Sequence, residues 1–325
     1  MGPRTPGESP VPRIRGDDVG TGAQLSIGLS SFGGWLDDRG GWRRLVDLAR
    51  AADDAGVDRL VVVDHVVMGE HTDRYRWGRF PTTPEDDWPE PLTLLAAMAA
   101  ATERVRLATG ILIASLRRPA LLAKTAATLD CLSAGRLELG VGIGWQREEY
   151  EACGLDWAER GQLLTDTLAA CQTLWTEESA SVDRPTVHFE DIHCNPKPVQ
   201  PGGVPFWVAG TLAPRNLARL VDHGAGWIPI MGASLEDIAT GVQAVRSAFV
   251  DAGRDPSGLG VQGPLPVAKG EDDRPSLAAS LAGAPALIDI GVTAVHVPMG
   301  AFCRDPDAAP AFFAEAVERF RAELG

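Results

Sequence analysis

Positive charge is in short supply. The 325 residues carry 30 Lys and Arg against 44 Asp and Glu, a formal net charge of −14. A field of that sign repels nucleic acid and anionic lipid, so neither is expected as a partner. It does not forbid an anionic cofactor, because a few local Arg, Lys and backbone N–H groups override it at short range. Long apolar runs are missing as well. None approaches the roughly 20 residues that a membrane-spanning helix needs. Cysteine is sparse and odd in number (Cys131, Cys153, Cys171, Cys194, Cys303), with no CxxC pair. That usage fits idle thiols in a reducing cytoplasm. There is no GxSxG elbow, no Walker A loop and no HExxH helix. His188, His193 and Cys194 lie close together, but their spacing matches no zinc pattern and no second ligand pair is near, so no metal is expected.

What is present suits one large α/β unit. The apolar share is 45%, enough for a sizeable core. Residues from Met1 to about Ala23 are rich in Pro, Gly and charge, with no apolar stretch after the arginines. They read as a disordered tail and not as a secretory signal. From residue 24 to 325, short β-like runs alternate with helical patterns. Strands are expected at Leu25–Ser31, Arg59–Val63, Val105–Thr109, Arg136–Val141, Phe206–Ala209, Ala225–Pro229, within Leu259–Val267 and at Ala294–Val297. Helices are expected between them, among them Trp42–Ala55 closed by Gly56, Pro91–Thr102, Pro119–Leu132, Pro214–His223, Leu235–Ala252 and Ser276–Ile290. Residues Val187–Gly203 read as a small β excursion. Each parallel pairing needs a crossover, so the alternation implies a parallel sheet. Eight such units without an internal linker favour a closed (β/α)₈ TIM barrel over an open doubly wound sheet.

In a barrel the chemistry gathers where strands end and βα loops begin. The second strand ends in Asp64-His65, the only acid–His doublet after a buried strand. His65 could act as acid/base or donate to a cofactor ring, with Asp64 orienting it; the plainer reading is a helix-start pair. The long loop Asp64–Pro89, with His71, Arg74, Tyr75, Trp77 and Arg79, reads as a lid. The run Gly140-Val141-Gly142-Ile143-Gly144 fails as a dinucleotide fingerprint, because Trp145 or Arg147 stands where the third glycine belongs. Ala209-Gly210-Thr211 precedes a helix opened by Pro214, a place where free N–H groups can cradle a phosphate. The Arg117-Arg118 pair flanks another helix start and could hold an anion. Phe32, Trp145 and Trp227 stand beside strand ends and are candidate substrate-pocket walls.

Several of these runs resemble a known family in order and spacing: Val63-Asp64-His65-Val66-Val67, Ala108-Thr109-Gly110-Ile111-Leu112, Leu122–Asp130, Ser133–Trp145, Glu148–Gly154 and Asn195–Gln200. Together they resemble the luciferase-like monooxygenase superfamily, on its coenzyme F420-using side. The resemblance implies a (β/α)₈ barrel that binds F420, or alternatively FMN, at its C-terminal rim. It implies that His65 and Asp64 lie by the ring and that a non-prolyl cis peptide stands at Gly110-Ile111. It also puts Thr109, Gly142, Ile143, Gly144, Ala209, Gly210 and Thr211 at the cofactor. FMN relatives often carry an Arg where Ile143 stands, and its absence favours F420. The F420-dependent sugar-phosphate dehydrogenases carry a catalytic Glu where Trp145 stands, so their substrate is not implied here. The expectation is an oxidoreductase passing hydride between F420 and a small organic substrate. The alternatives are an FMN-dependent two-component monooxygenase and a non-catalytic flavin-binding barrel. Relatives usually pair, so a homodimer is implied.

Overall fold

A computed structural model describes residues 22–33 and 41–324. The tail expected over residues 1–23 lies, but for its last two residues, outside the described residues. The chain runs β1 (Gln24–Gly28), α1 (Arg43–Ala55), β2 (Arg59–Val62), α2 (Pro91–Ala99), β3 (Arg106–Ile113), α3 (Pro119–Leu132), β4 (Leu137–Gly142), α4 (Arg147–Ala152) and α5 (Arg160–Thr176). A hairpin follows, β5 (Ala180–Arg184) and β6 (Val187–Ile192). Then come β7 (Phe206–Ala209), α6 (Pro214–His223), β8 (Gly224–Ile228), α7 (Leu235–Asp251), β9 (Gly260–Pro264), α8 (Leu277–Leu281), α9 (Ala284–Asp289), β10 (Ala294–Pro298), α10 (Met299–Phe302) and α11 (Ala309–Glu323).

Eight strands close into a parallel barrel in the order β1-β10-β9-β8-β7-β4-β3-β2. β1 closes it by pairing with β2 on one side and β10 on the other. Helix boundaries follow local chemistry. Pro starts α2, α3 and α6, where a missing N–H leaves no bond unmade. Gly56 ends α1 with φ 87° and returns its N–H to Ala52 and Asp53. Ser234 and Asp237 form a reciprocal cap on α7.

Three expectations are corrected. The excursion starts at Ala180, not Val187: two antiparallel runs flank the Pro185-Thr186 turn, and the first was missed. The helix expected over Ser276–Ile290 breaks into α8 and α9 at Gly283, because Pro285 cannot continue the earlier turn. The third barrel strand does not end at Thr109 but runs on to Ile113, so Gly110 and Ile111 lie within it. Among the described residues, no helix is long and apolar enough to cross a membrane.

The barrel interior is polar at its lower level. Arg59, fully buried, donates to Glu138 (2.7 Å), to Gln262 (2.6 Å) and to Ser26 Oγ (3.2 Å). Its guanidinium also lies 4.5 Å from the ring centre of Trp207. Burial alone would raise the Glu138 carboxyl, but Arg106 and Arg59 together hold it below its ordinary value. Above this cluster the inward positions include Gly28, Gly110 and Ala209, each partly exposed.

Candidate active site

The opening can be read from the alternation of the strands. Inward-facing Gly28, Val63, Gly110, Ala209, Pro264 and Pro298 are partly exposed. Their outward neighbours Ile27, Val62, Leu112, Val208 and Val297 are buried under helices. A concavity therefore opens at the C-terminal end of the strands. One wall of it is glycine. A Cβ on Gly140 would stand 2.1 Å from Thr109 O, and one on Gly110 would stand 2.4 Å from Val61 Cγ1. Only glycine fits at these positions, and the wall stays flat.

His65 stands where β2 gives way to its loop. It is nearly buried, and its Nδ1 lies 3.1 Å from Glu149 Oε2. Glu149 is fully buried and also accepts the Val66 N–H at 2.9 Å. With a carboxylate as its partner, Nδ1 carries the proton when the imidazole is neutral. Nε2 then presents its lone pair, and it has no hydrogen-bond partner among the described residues. Aromatic rings surround the imidazole: Trp88 at 4.7 Å, Phe80 at 5.7 Å and Trp145 at 6.1 Å, all edge-on. Phe32 stacks on Trp88 at 4.5 Å. Tyr75 touches both Phe80 and Trp145 and donates its hydroxyl to Met231 Sδ.

The lid loop is stapled to the start of α4. Gly69 N–H donates to Gln146 (2.8 Å) and Arg74 pairs with Glu148 (2.9 Å). Glu149 completes the row. One short helix thus fixes both the loop and the histidine.

Asp64 has a different task from the one expected. Its carboxylate is fully buried and accepts two N–H groups of Arg117, at 2.6 and 3.0 Å, and the Ile113 N–H at 2.8 Å. It does not reach the imidazole, so the orienting role belongs to Glu149. Arg117, expected as a possible anion holder, is committed to Asp64 and Glu90. Burial would lower the Arg117 guanidinium, but the two carboxylates raise it overall.

Trp227 is also corrected. Gly226 and Ile228 face inward, so Trp227 faces outward. Its indole packs on α7 at Gly241, where a Cβ would stand 2.2 Å from the ring, and its N–H donates to Gly210 O. It lines no pocket. Thr109 is fully buried with its hydroxyl on Gly140 O at 2.8 Å, so that hydroxyl is not available to a ligand. Phe32 and Trp145 are half-buried and belong to the aromatic cluster around His65. The Gly110-Ile111 peptide is cis and lies on the inner wall. Gly142 and Gly144 continue the wall, and the Ile143 carbonyl accepts the Tyr150 hydroxyl at 2.6 Å. Ala209, Gly210 and Thr211 lead into α6, whose first turn has no side-chain cap. Pro214 has no N–H, and Asn216 and Leu217 donate theirs to Ala213 O, so of this turn the Arg215 N–H is left for an anion.

Sequence reasoning gave no role to Glu149, Phe80 or Trp88. Glu149 had one available signal: a buried acid on the helix after the fourth strand, in the motif already noted. A flat tricyclic ring fits what is present. The glycine wall admits a ring face, His65 Nε2 has no protein partner among the described residues, and the indole N–H groups of Trp88 and Trp145 are buried without a partner. The α6 terminus could take the phosphate of the ring's side chain.

Comparisons with known proteins bear on the fold and the family. The luciferase-like monooxygenase family model matches residues 26–321. A phthiodiolone/phenolphthiodiolone dimycocerosates ketoreductase of Mycobacterium tuberculosis is 34% identical over 173 residues, 52% of this chain and 45% of that protein. Monooxygenase RslO1 from Streptomyces bottropensis shares the fold with a TM-score of 0.73 at 21% identity, over 93% of this chain and all of that one. An F420-dependent secondary alcohol dehydrogenase, solved with an F420-acetone adduct, gives 0.72 at 16% identity, over 92% and 99%. A closed (β/α)₈ barrel matched along nearly its whole described length makes this chain a member of the luciferase-like monooxygenase family, whose members are oxidoreductases.

Proposed function

We propose that this oxidoreductase uses coenzyme F420 and passes a hydride between the deazaflavin ring and a small organic substrate. The observation that carries this is the His65 site: an imidazole fixed by a buried carboxylate, with Nε2 free, beside a glycine wall. When bound, the cofactor supplies the hydride or receives it. The chain's own residues do the rest. Glu149 holds Nδ1 and stabilises the imidazolium. His65 Nε2 gives a proton to the substrate oxygen as a carbonyl is reduced, or takes it as an alcohol is oxidised. Phe80, Trp88, Tyr75 and Trp145 exclude water from that proton's path.

A ketone and secondary alcohol pair is the substrate class that fits a single acid/base beside a dry aromatic pocket. The names of the ketoreductase relative and of the alcohol dehydrogenase neighbour support it. Ile143, where FMN relatives often carry Arg, supports F420 over FMN. A homodimer in the cytoplasm belongs to the same reading.

Titrating the purified protein with F420 and, separately, with FMN tests the choice of cofactor by following their fluorescence. F420 binding at micromolar concentration is expected. Tight FMN binding with no F420 binding would replace this reading by the two-component monooxygenase. Binding without turnover of any alcohol or ketone would leave a flavin-binding barrel.

A further inference from the structure

We infer that His296, on β10, is a second ligand-contacting histidine: it donates its Nε2–H to a ring carbonyl of the bound cofactor from the floor of the mouth. The inference rests on the deazaflavin reading above and extends it to a residue that the His65 site does not involve.

The argument begins below the floor. Arg59 can only donate, and one of its N–H groups goes to Ser26 Oγ at 3.2 Å. The Ser26 oxygen is thereby an acceptor towards Arg59, which leaves its own O–H to donate elsewhere. The acceptor within reach is His296 Nδ1, at 3.4 Å. An Nδ1 that accepts a hydrogen bond carries no proton, so in the neutral imidazole the proton sits on Nε2. The Ser26 oxygen could also accept from an Nδ1–H, so the Nε2–H tautomer is the one assigned here, with Ser26 as the donor in this contact.

Nε2 faces upward. A Cβ on Gly28 would lie 2.9 Å from both Nε2 and Cε1 of His296. The missing side chain at Gly28 is what lets the ring stand at that level, one pair below the rim. His296 faces inward, level with Ser26 and Pro264. It keeps part of its surface open although a closed barrel surrounds it. Among the described residues the barrel opens at its C-terminal mouth, and the exposed edge looks into it. Nε2 has no protein partner among the described residues.

Charge keeps the group in this form. Burial, and then the neighbouring Arg59 cation, push the His296 imidazole down to about 4. At neutral pH it is an uncharged donor. The groups facing it are Ser26 from β1, Arg59 from β2 and Pro264 from β9, with Glu138 and Gln262 behind Arg59. None is an acceptor aimed at Nε2.

The occupant follows from depth. In the deazaflavin reading the ring lies deep in the mouth and the substrate on its open side. The floor therefore meets the cofactor first. F420 and FMN both carry two carbonyls on the pyrimidine edge of their ring, and a lone N–H donor backed by a cation suits such an oxygen.

The test has two arms. The first is ¹⁵N NMR of histidine-labelled wild-type protein at pH 7, which reads the tautomer without any cofactor. A neutral Nε2–H signal is expected for His296, collapsing to a mixture of tautomers in Ser26→Ala. A predominantly Nδ1–H or charged ring would overturn the inference. The second arm is fluorescence titration with F420 of His296→Gln, which retains an N–H donor, and His296→Phe, which does not. Gln is expected to stay within about three-fold of wild type and Phe to bind about ten-fold more weakly. Melting curves confirm that both variants fold. Equal affinity of folded Phe variant and wild type would overturn the inference while leaving the cofactor reading intact. If wild type takes FMN and not F420, the cofactor reading falls, and the same two variants titrated with FMN decide the role of His296. If it takes neither, both fall together.

Discussion

The mouth of the barrel holds two histidines in opposite electrical surroundings. His65, at the rim, has a buried carboxylate on Nδ1 and a cage of aromatic rings. His296, at the floor, has a hydroxyl on Nδ1 and a guanidinium beneath it. The first partner accepts, so His65 keeps its proton on Nδ1 and offers a lone pair. The second donates, so His296 keeps its proton on Nε2 and offers an N–H. The same side chain presents a lone pair or an N–H according to what stands behind it. The carboxylate behind His65 takes its Nδ1–H, whereas the cation behind His296 opposes a charge on that ring.

The comparison is broken most severely by removing the rim histidine. His65→Ala is expected to lower turnover about 10²–10⁴-fold, as for loss of a general acid/base. Stopped-flow oxidation of reduced F420 by the ketone that wild type uses best would measure it. An effect below about three-fold would take His65 out of the chemistry.

The floor answers more in stability than in rate. Glu138→Gln strips the counter-charge from buried Arg59 and Arg106 and is expected to lose about 3–5 kcal/mol in urea unfolding. Asp64→Asn should lose less, because Arg117 retains Glu90. A reversed order would mean that the rim pair, not the floor, supports the fold.

Acid probes the floor histidine. The unfolded chain protonates His296 near its ordinary value of about 6.5, the folded chain only near 4. Between those values the unfolded state binds more protons, so stability falls as pH falls. The loss approaches about 3 kcal/mol at pH 4. His296→Gln should flatten that part of the stability–pH curve. An unchanged slope would show that His296 titrates normally.

The smallest expected effect concerns the residue that orients His65. Glu149→Gln keeps the geometry but not the charge, and turnover should fall about ten-fold with F420 affinity unchanged. Equal loss of affinity would make Glu149 a structural support for the loop instead.

Much of this was legible before any coordinates. Eight strand–helix alternations close into a barrel because parallel strands must cross over and the ends must meet. His65 was legible because a barrel presents the residue that follows a strand. Trp227 was misread because nearness to a strand end is not enough: Gly226 and Ile228 take the inward places, and alternation sends the indole out. Asp64 was misassigned because Arg117, 53 residues later, claims its carboxylate. Glu149 lies 84 residues from His65, and His296 lies 270 from Ser26. Such pairings exist only after the barrel closes. His296 still left one trace, a polar residue at the centre of a short apolar strand.

The most direct test of the account is a crystal structure of the protein with F420 bound. The account predicts the deazaflavin ring in the mouth, against the Gly110 and Gly140 wall, with His65 Nε2 within about 3.5 Å of the ring or of a bound substrate oxygen. A ring bound elsewhere, or an imidazole turned away from it, would contradict the account.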